Sequence, residues 1–281
     1  MGTPVNPSAV GTADERYRTR PGTPMIGPYS INQMDDFYHA LASGQVKLTG
    51  VMNYIQRLFI AEHCPPGAAV VDVCCGRGLQ LPALWRYAPH IAGYVGLDIA
   101  QDTLDEARER IADLDRRLGR SFDAELVQCD VAGPWPDLPT FDVAIYTSAL
   151  EHLPREQAIV SLRNTHAALT PGGILFLSTP NTLGPAPRPL QHRVHVYEWN
   201  CNELGPVLRD CGFAVRDMVG LLPPVTADMT ELVSSKYGPR AARWYDRMRS
   251  AVPASFLGPV LASAFPDDAA EVMYVCTRSG E

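Results

Sequence analysis

Three aspartates each close an apolar run: Asp72 among Val70, Val71 and Val73, Asp98 after Tyr94, Val95 and Leu97, and Asp130 after Leu126 and Val127. Asp72 leads into Cys74, Cys75, Gly76, Arg77 and Gly78, and an apolar helical pattern follows from Leu79 to Leu84. A buried strand, a tight glycine-bearing loop and a helix start in succession predict a nucleotide-like ligand, because loop amides and the helix dipole face it. Strands that end in carboxylates line one rim of a parallel sheet, where open α/β folds bind ligands. An acidic rim repels a pyrophosphate and suits a cation. The dinucleotide fingerprint G-x-G-x-x-G is also unmet, since Cys74 stands where a first glycine belongs and Gln80 and Leu81 occupy the region of the third. An NAD-dependent dehydrogenase is disfavoured on that ground.

Two further landmarks follow at βαβ spacing. Phe141 to Tyr146 reads as a strand and runs into Ala149, Leu150, Glu151 and His152; Leu169 to Asn181 reads as a turn, with Pro171, Gly172 and Gly173, and a strand. From about 67 to 216 this order resembles the class I S-adenosylmethionine (SAM) methyltransferases. The resemblance implies an α/β Rossmann-like, seven-stranded, mostly parallel sheet with helices on both faces, whose last strand lies antiparallel between the fifth and sixth. It also implies an enzyme whose cofactor, SAM, carries a sulfonium, an ammonium, a ribose diol and an adenine. On that resemblance Cys75, Gly76 and Gly78 face the methionyl part, with Asp72 organising the loop. Asp98, next to Ile99, accepts from the ribose diol, as a carboxylate with two acceptor oxygens can. Asp130 accepts from the adenine amino group with Val131 against the ring, and Tyr146 and His152 lie beside the methyl group. Cys74 replaces a glycine, which is costly if the backbone there needs φ > 0. The plainer roles for Asp98 and Asp130 are capping and turn formation.

Methyl transfer from a sulfonium is an in-line displacement with a good leaving group, so alignment and desolvation supply most of the acceleration. An imidazole suits proton removal near neutral pH, which makes His152 and His195 the candidate bases. Tyr38, Glu151 and Tyr197 are candidate substrate contacts. Relatives that methylate a ubiquinone precursor or small RNA carry Glu-x-x-Glu-His and a distant His around a divalent ion. Here Ser148 replaces the first Glu, with Glu151, His152 and either His192 or His195 remaining, so a metal-free site is expected. The favoured reading is methylation of a small-molecule acceptor, at oxygen, in secondary metabolism. The alternatives are a metal-assisted RNA 2′-O-methyltransferase and a SAM-binding, non-catalytic partner protein.

The elements that must position these groups begin after a leader, residues 1–30, rich in Gly, Pro and Thr. The apolar pattern predicts helices over 31–42 and 51–63, and the resemblance implies that residues 31–64 act as an N-terminal helical lid, which makes Tyr29, Tyr38 and His39 candidate pocket residues. The domain fills 65–281, including a helical insertion over about 222–265 where substrate choice or homodimerisation can reside. Pro185, Pro187 and Pro189 exclude regular structure after the fifth strand, so that stretch is a loop over the sheet edge. At 281 residues, with 46% hydrophobic and 20% charged residues, the composition is that of a globular protein. A net charge of -7 disfavours general nucleic-acid binding. Seven cysteines without C-x-x-C spacing suit reduced thiols, and no signal-like or membrane-length apolar run occurs. The expectation is a cytoplasmic protein with no membrane partner.

Overall fold

The computed structural model describes residue 44, residues 48–224 and residues 228–279. The chain divides into compact units 1–46 and 47–281, and the structural account concerns the second. The leader, the first lid helix, Tyr29, Tyr38 and His39 lie outside the described residues. The elements are α1 (Leu48–Glu62), β1 (Ala69–Val73), α2 (Leu81–Tyr87), β2 (Gly93–Asp98), α3 (Gln101–Leu118), β3 (Asp123–Gln128) and β4 (Phe141–Thr147). After them come a short 3₁₀ turn (Leu150–His152), α4 (Arg155–Ala168), β5 (Leu169–Pro180), α5 (Cys201–Asp210), β6 (Phe213–Leu222), α6 (Met229–Tyr237), α7 (Pro239–Ala251), α8 (Ala254–Ala262) and β7 (Glu271–Arg278).

The sheet has seven strands in the order β3-β2-β1-β4-β5-β7-β6. The pairs β2–β3, β1–β2, β1–β4 and β4–β5 are parallel, while β7 runs antiparallel to both β5 and β6. The expected Rossmann-like order is therefore present. Parallel strands need helical crossovers, which cover both faces and leave the central strands apolar throughout. Strand period then splits each run between two cores. Val70, Val143, Ile145 and Phe176 pack with Ile60, Leu81 and Leu84 from α1 and α2. Their neighbours Val71, Ala144, Tyr146 and Leu177 pack with Leu162, Leu204 and Leu208 from α4 and α5.

β5 takes in the expected turn: Phe141 pairs Leu169 while Val143 pairs Ile174, so Pro171-Gly172-Gly173 is absorbed as an irregularity in one ladder. β6 continues to Leu222, and its last residues support the insertion. Helices α6, α7 and α8 enclose a small core of Val233, Tyr245, Leu257 and Phe265, and α8 packs on α1 and β6.

Gly220 in β6 is the tight point of that junction. A Cβ there would fall on the carbonyl of Ala262 and within 2.9 Å of Ala269 Cβ, and backbone cannot swing aside as a side chain can. Gly220→Ala should cost about 1–3 kcal/mol, read as a lowered melting temperature, and an unchanged melting temperature would mean that α8 does not seat on β6 in this way.

Candidate active site

Because β1, β4 and β5 are parallel, their carboxyl ends meet at one rim; because β7 is antiparallel, its first residue, Glu271, arrives at that rim opposite Pro180. A cleft of about 500 Å³ opens there, lined by Asp72, Cys74, Cys75 and Gly76 at one end and by Ser148, Glu151, His152, His195 and Glu271 at the other. Met52, Gln56 and Arg57 of α1 form another wall.

The loop after β1 is held by its neighbours. Cys75 N–H donates to the Leu97 carbonyl at 2.9 Å, and Gly76 N–H donates to Asp98 Oδ2 at 2.8 Å. Asp98 Oδ1 accepts from Ala100 N–H at 2.9 Å and from the Thr103 hydroxyl at 3.3 Å. Gly76 has φ +51 and open space where a Cβ would stand, whereas at Gly78 a Cβ would meet Leu81 Cδ1 at 2.6 Å. Gly76 thus leaves room at the loop, and Gly78 serves the packing of α2. Cys74 adopts φ 59, the left-handed region the sequence flagged as costly for a side chain. Its thiol is buried against the hydroxyl of Tyr146, and burial pushes it up from the usual thiol range.

Asp72 is 4% exposed and accepts from the Tyr94 hydroxyl at 2.8 Å. Burial pushes its carboxyl up to about 7, against the Tyr94 hydrogen bond and the charge of Arg57.

Ile99, 65% exposed, Asp130 and the buried Val131 lie along the neighbouring rim outside the cleft lining. Asp130 Oδ1 accepts from Ala132 N–H at 3.0 Å, a turn of the plainer kind. Two candidates sit elsewhere. Tyr146 is fully buried with its hydroxyl 2.9 Å from Ser161, because strand alternation turns it into the core on α4; its side chain does not reach the cleft. Tyr197 donates to Glu203 Oε1 at 2.6 Å and anchors the loop rather than lining the cleft.

Glu151, His152 and His195 converge, each offering a ligand atom within 4.8 Å of the others. Glu151 Oε2 accepts from the Thr179 hydroxyl at 3.0 Å. His152 Nδ1 lies 3.2 Å from the Val194 carbonyl and His195 Nδ1 lies 2.6 Å from Glu198 Oε1. Acceptors at both Nδ1 atoms take the Nδ1 protons, and among the described residues neither Nε2 has a hydrogen-bond partner. Burial raises the Glu151 carboxyl. Glu271, beside Ser148 Oγ at 3.1 Å, is pushed up to about 7 by burial and by Glu151. The sequence reading omitted Gln56, Arg57, Glu198 and Glu271. A Glu three residues after His195 is a local clue to one of them; the others come from distant segments.

A methyltransferase-domain family model matches residues 70–173, the span of β1, the glycine loop, the acidic rim and β4. Over that span the chain is similar to the class I SAM-dependent methyltransferases. Among relatives, a Mycolicibacterium smegmatis protein named "Probable S-adenosylmethionine-dependent methyltransferase" is 31% identical over 58% of this chain and 58% of its own length. A ubiquinone biosynthesis O-methyltransferase of Xanthomonas campestris is 32% identical over 50% of this chain and 55% of its own. The chain thus spans little more than half the length of these relatives. In fold it resembles the 1,6-didemethyltoxoflavin-N1-methyltransferase of Burkholderia thailandensis, solved with S-adenosylhomocysteine, at 19% identity and a TM-score of 0.53 over 92% of this chain and 93% of that one.

Two outcomes test the methyltransferase loop. Cys74→Gly, which removes the left-handed penalty, should keep S-adenosylhomocysteine affinity within about threefold, while β-branched Cys74→Val should lose more than about tenfold; calorimetry that ranks the two variants equally would contradict the strain at Cys74. Asp72 holds its proton more tightly folded than unfolded, so its contribution to stability falls as pH rises from about 4 through 7. Asp72→Asn should therefore gain on the wild type between pH 5 and pH 8, by at most about 4 kcal/mol. Melting curves with a pH-independent difference would show that Asp72 is not buried as a titrating acid.

Proposed function

We propose that this chain transfers the methyl group of SAM to an oxygen of a small-molecule acceptor. The observation that carries the reading is the joining, in one cleft, of the methyltransferase loop with two histidines whose Nε2 atoms are free. SAM, when bound, supplies an electrophilic methyl on a sulfonium with a neutral thioether as leaving group. The chain's part is to bind, orient and handle a proton. The Gly76 loop and Asp72 suit the methionyl part, Asp72 offering a buried carboxyl for the ammonium. Among the described residues Asp98 Oδ2 accepts from Gly76, which leaves it acceptor capacity for a ribose hydroxyl. Ile99 is an exposed apolar side chain of the kind that covers an adenine, and Asp130 and Val131 follow the neighbouring strand.

An acceptor hydroxyl must lose a proton as it gains the methyl group. His195 Nε2 can take it, because Glu198 at Nδ1 stabilises the resulting imidazolium. His152, oriented by a backbone carbonyl, is the second group in reach. Nitrogen acceptors deliver their own lone pair and need less help, so a carboxylate–histidine pair favours oxygen.

A second reading rests on the same convergence: Glu151, His152 and His195 suit a divalent ion, with Glu198 and the Val194 carbonyl behind the two imidazoles in the manner of metal-ligating histidines. Such an ion lowers the pKa of a bound hydroxyl. Dialysis against a chelator separates the readings, since loss of methyl transfer restored by added Mg²⁺ favours the ion and no loss favours the imidazole.

Asp98→Ala should weaken SAM binding at least about tenfold, and unchanged calorimetric affinity would remove Asp98 from the cofactor site. His195→Ala should lower methyl release in a labelled-SAM acceptor screen about 10²-fold while leaving SAM affinity intact, and retained turnover would exclude it as the base.

A further inference from the structure

Among the described residues, Glu271 is the carboxylate at the substrate end of the cleft that neither the histidine pair nor a metal ion explains. It is 9% exposed, and its hydrogen bond among the described residues is the Ser148 hydroxyl on Oε1. Glu151 faces it as a like charge. Ser148 holds it from a left-handed backbone, φ 49, with its own N–H donating to the Ser178 carbonyl at 3.0 Å and to Ser178 Oγ at 3.2 Å.

The same Ser178 hydroxyl receives Gln56 Nε2 of α1 at 2.8 Å. That bond fixes the amide with its other end in play: Gln56 is 3% exposed, lines the cleft, and its Oε1 has no hydrogen-bond partner among the described residues. A buried amide oxygen without a donor is costly. A chain Gln56–Ser178–Ser148–Glu271 thus joins α1, β5, the turn after β4 and β7, and leaves acceptor atoms at both ends. The cleft's arginines, Arg57 and Arg77, come from α1 and the glycine loop, and Arg57 is coupled to Asp72. Two carboxylates therefore line this end with the buried Gln56 amide oxygen at its wall, and no further Lys or Arg is among the described lining residues.

We infer that Glu271 and Gln56 form a subsite for a protonated amino group of the methyl acceptor, so the substrate is an amine-bearing hydroxyl compound rather than an acid. A cationic nitrogen supplies donors to Glu271 and Gln56 Oε1 together and relieves the like-charge opposition of Glu271 and Glu151. A carboxylate in the same place would add a further negative group beside Glu271 and Glu151. This deepens the proposed function and rests on it, but not on the choice between base and metal, since either leaves Glu271 Oε2 and Gln56 Oε1 without a donor among the described residues.

The test uses the full chain saturated with S-adenosylhomocysteine, whose own binding is measured first. Tyramine and 4-hydroxyphenylacetate, matched in shape and opposite in charge, are then titrated by calorimetry. Tyramine should bind at least tenfold tighter, and Glu271→Gln, which keeps an acceptor for Ser148, should bring the two within about threefold while S-adenosylhomocysteine affinity holds. If that variant fails to fold, Gln56→Leu should weaken tyramine selectively. Equal affinities, no saturable binding of either probe, or a preference that survives in the variants overturns the subsite. Failure of S-adenosylhomocysteine itself to bind would instead overturn the methyltransferase reading.

Discussion

Strand direction is the constraint on which the candidate site depends. Parallel pairing brings the ends of β1, β2, β4 and β5 to one rim, with Asp72 opposite Ile145 and Gly96 in register. One antiparallel strand then delivers a chain start to that same rim, and the start is a carboxylate. A one-residue slip in β7 would turn Glu271 to the other face and bring Val272 to the cleft. The register is protected by what alternates behind it: Val272 and Tyr274 are buried in one core and Met273 in the other.

The rim also stores local strain. Cys74 and Ser148 follow adjacent strands, β1 and β4, and both are non-glycine residues in the left-handed region. Each costs on the order of 1 kcal/mol or more, and each is held by long-range contacts: Cys74 by burial against Tyr146, Ser148 by Ser178 and Glu271. Gly96 makes the neighbouring thiol fit, since a Cβ there would lie 2.8 Å from Cys75 Sγ. A loop fixed by its neighbours is preorganised, so little ordering cost remains for a ligand.

Apolar runs punctuated by Asp and Gly made the strands legible, and the resemblance to the methyltransferases implied their order in the sheet. The limits of β5 and β6 were not legible, as they depend on pairing with partners far along the chain. Tyr146 shows a different failure. Motif order places it near the methyl group, yet alternation along 143–146 already assigns it the face of Ala144, which is core. The glycine loop and the histidines came from local spacing, whereas Gln56 and Glu271 share Ser178 and Ser148 through separations of 122 and 123 residues. Single-sequence patterning holds no signal at that range.

The histidine-bearing loop after β5 explains why those groups stay in place without regular structure. Its prolines forbid a ladder, so side chains satisfy its backbone: Arg188 Nη1 donates to the Glu198 carbonyl at 2.9 Å, Asn200 to the Gly184 carbonyl at 3.0 Å, and Gln191 N–H to the Glu198 carboxylate. Glu203 gathers Tyr197, Arg155 and Arg188 within 2.9 Å; burial raises its carboxyl, but those three donors outweigh burial and hold it below the usual range. Buried ion pairs add little net stability against well-packed apolar groups, yet breaking one leaves an uncompensated charge. Slack in such a network is therefore expensive. The consequence reaches His195 directly, because Glu198, which orients its ring, is itself pinned by Thr182 and Gln191. Polar satisfaction, rather than apolar packing, sets the position of the base at this edge of the sheet.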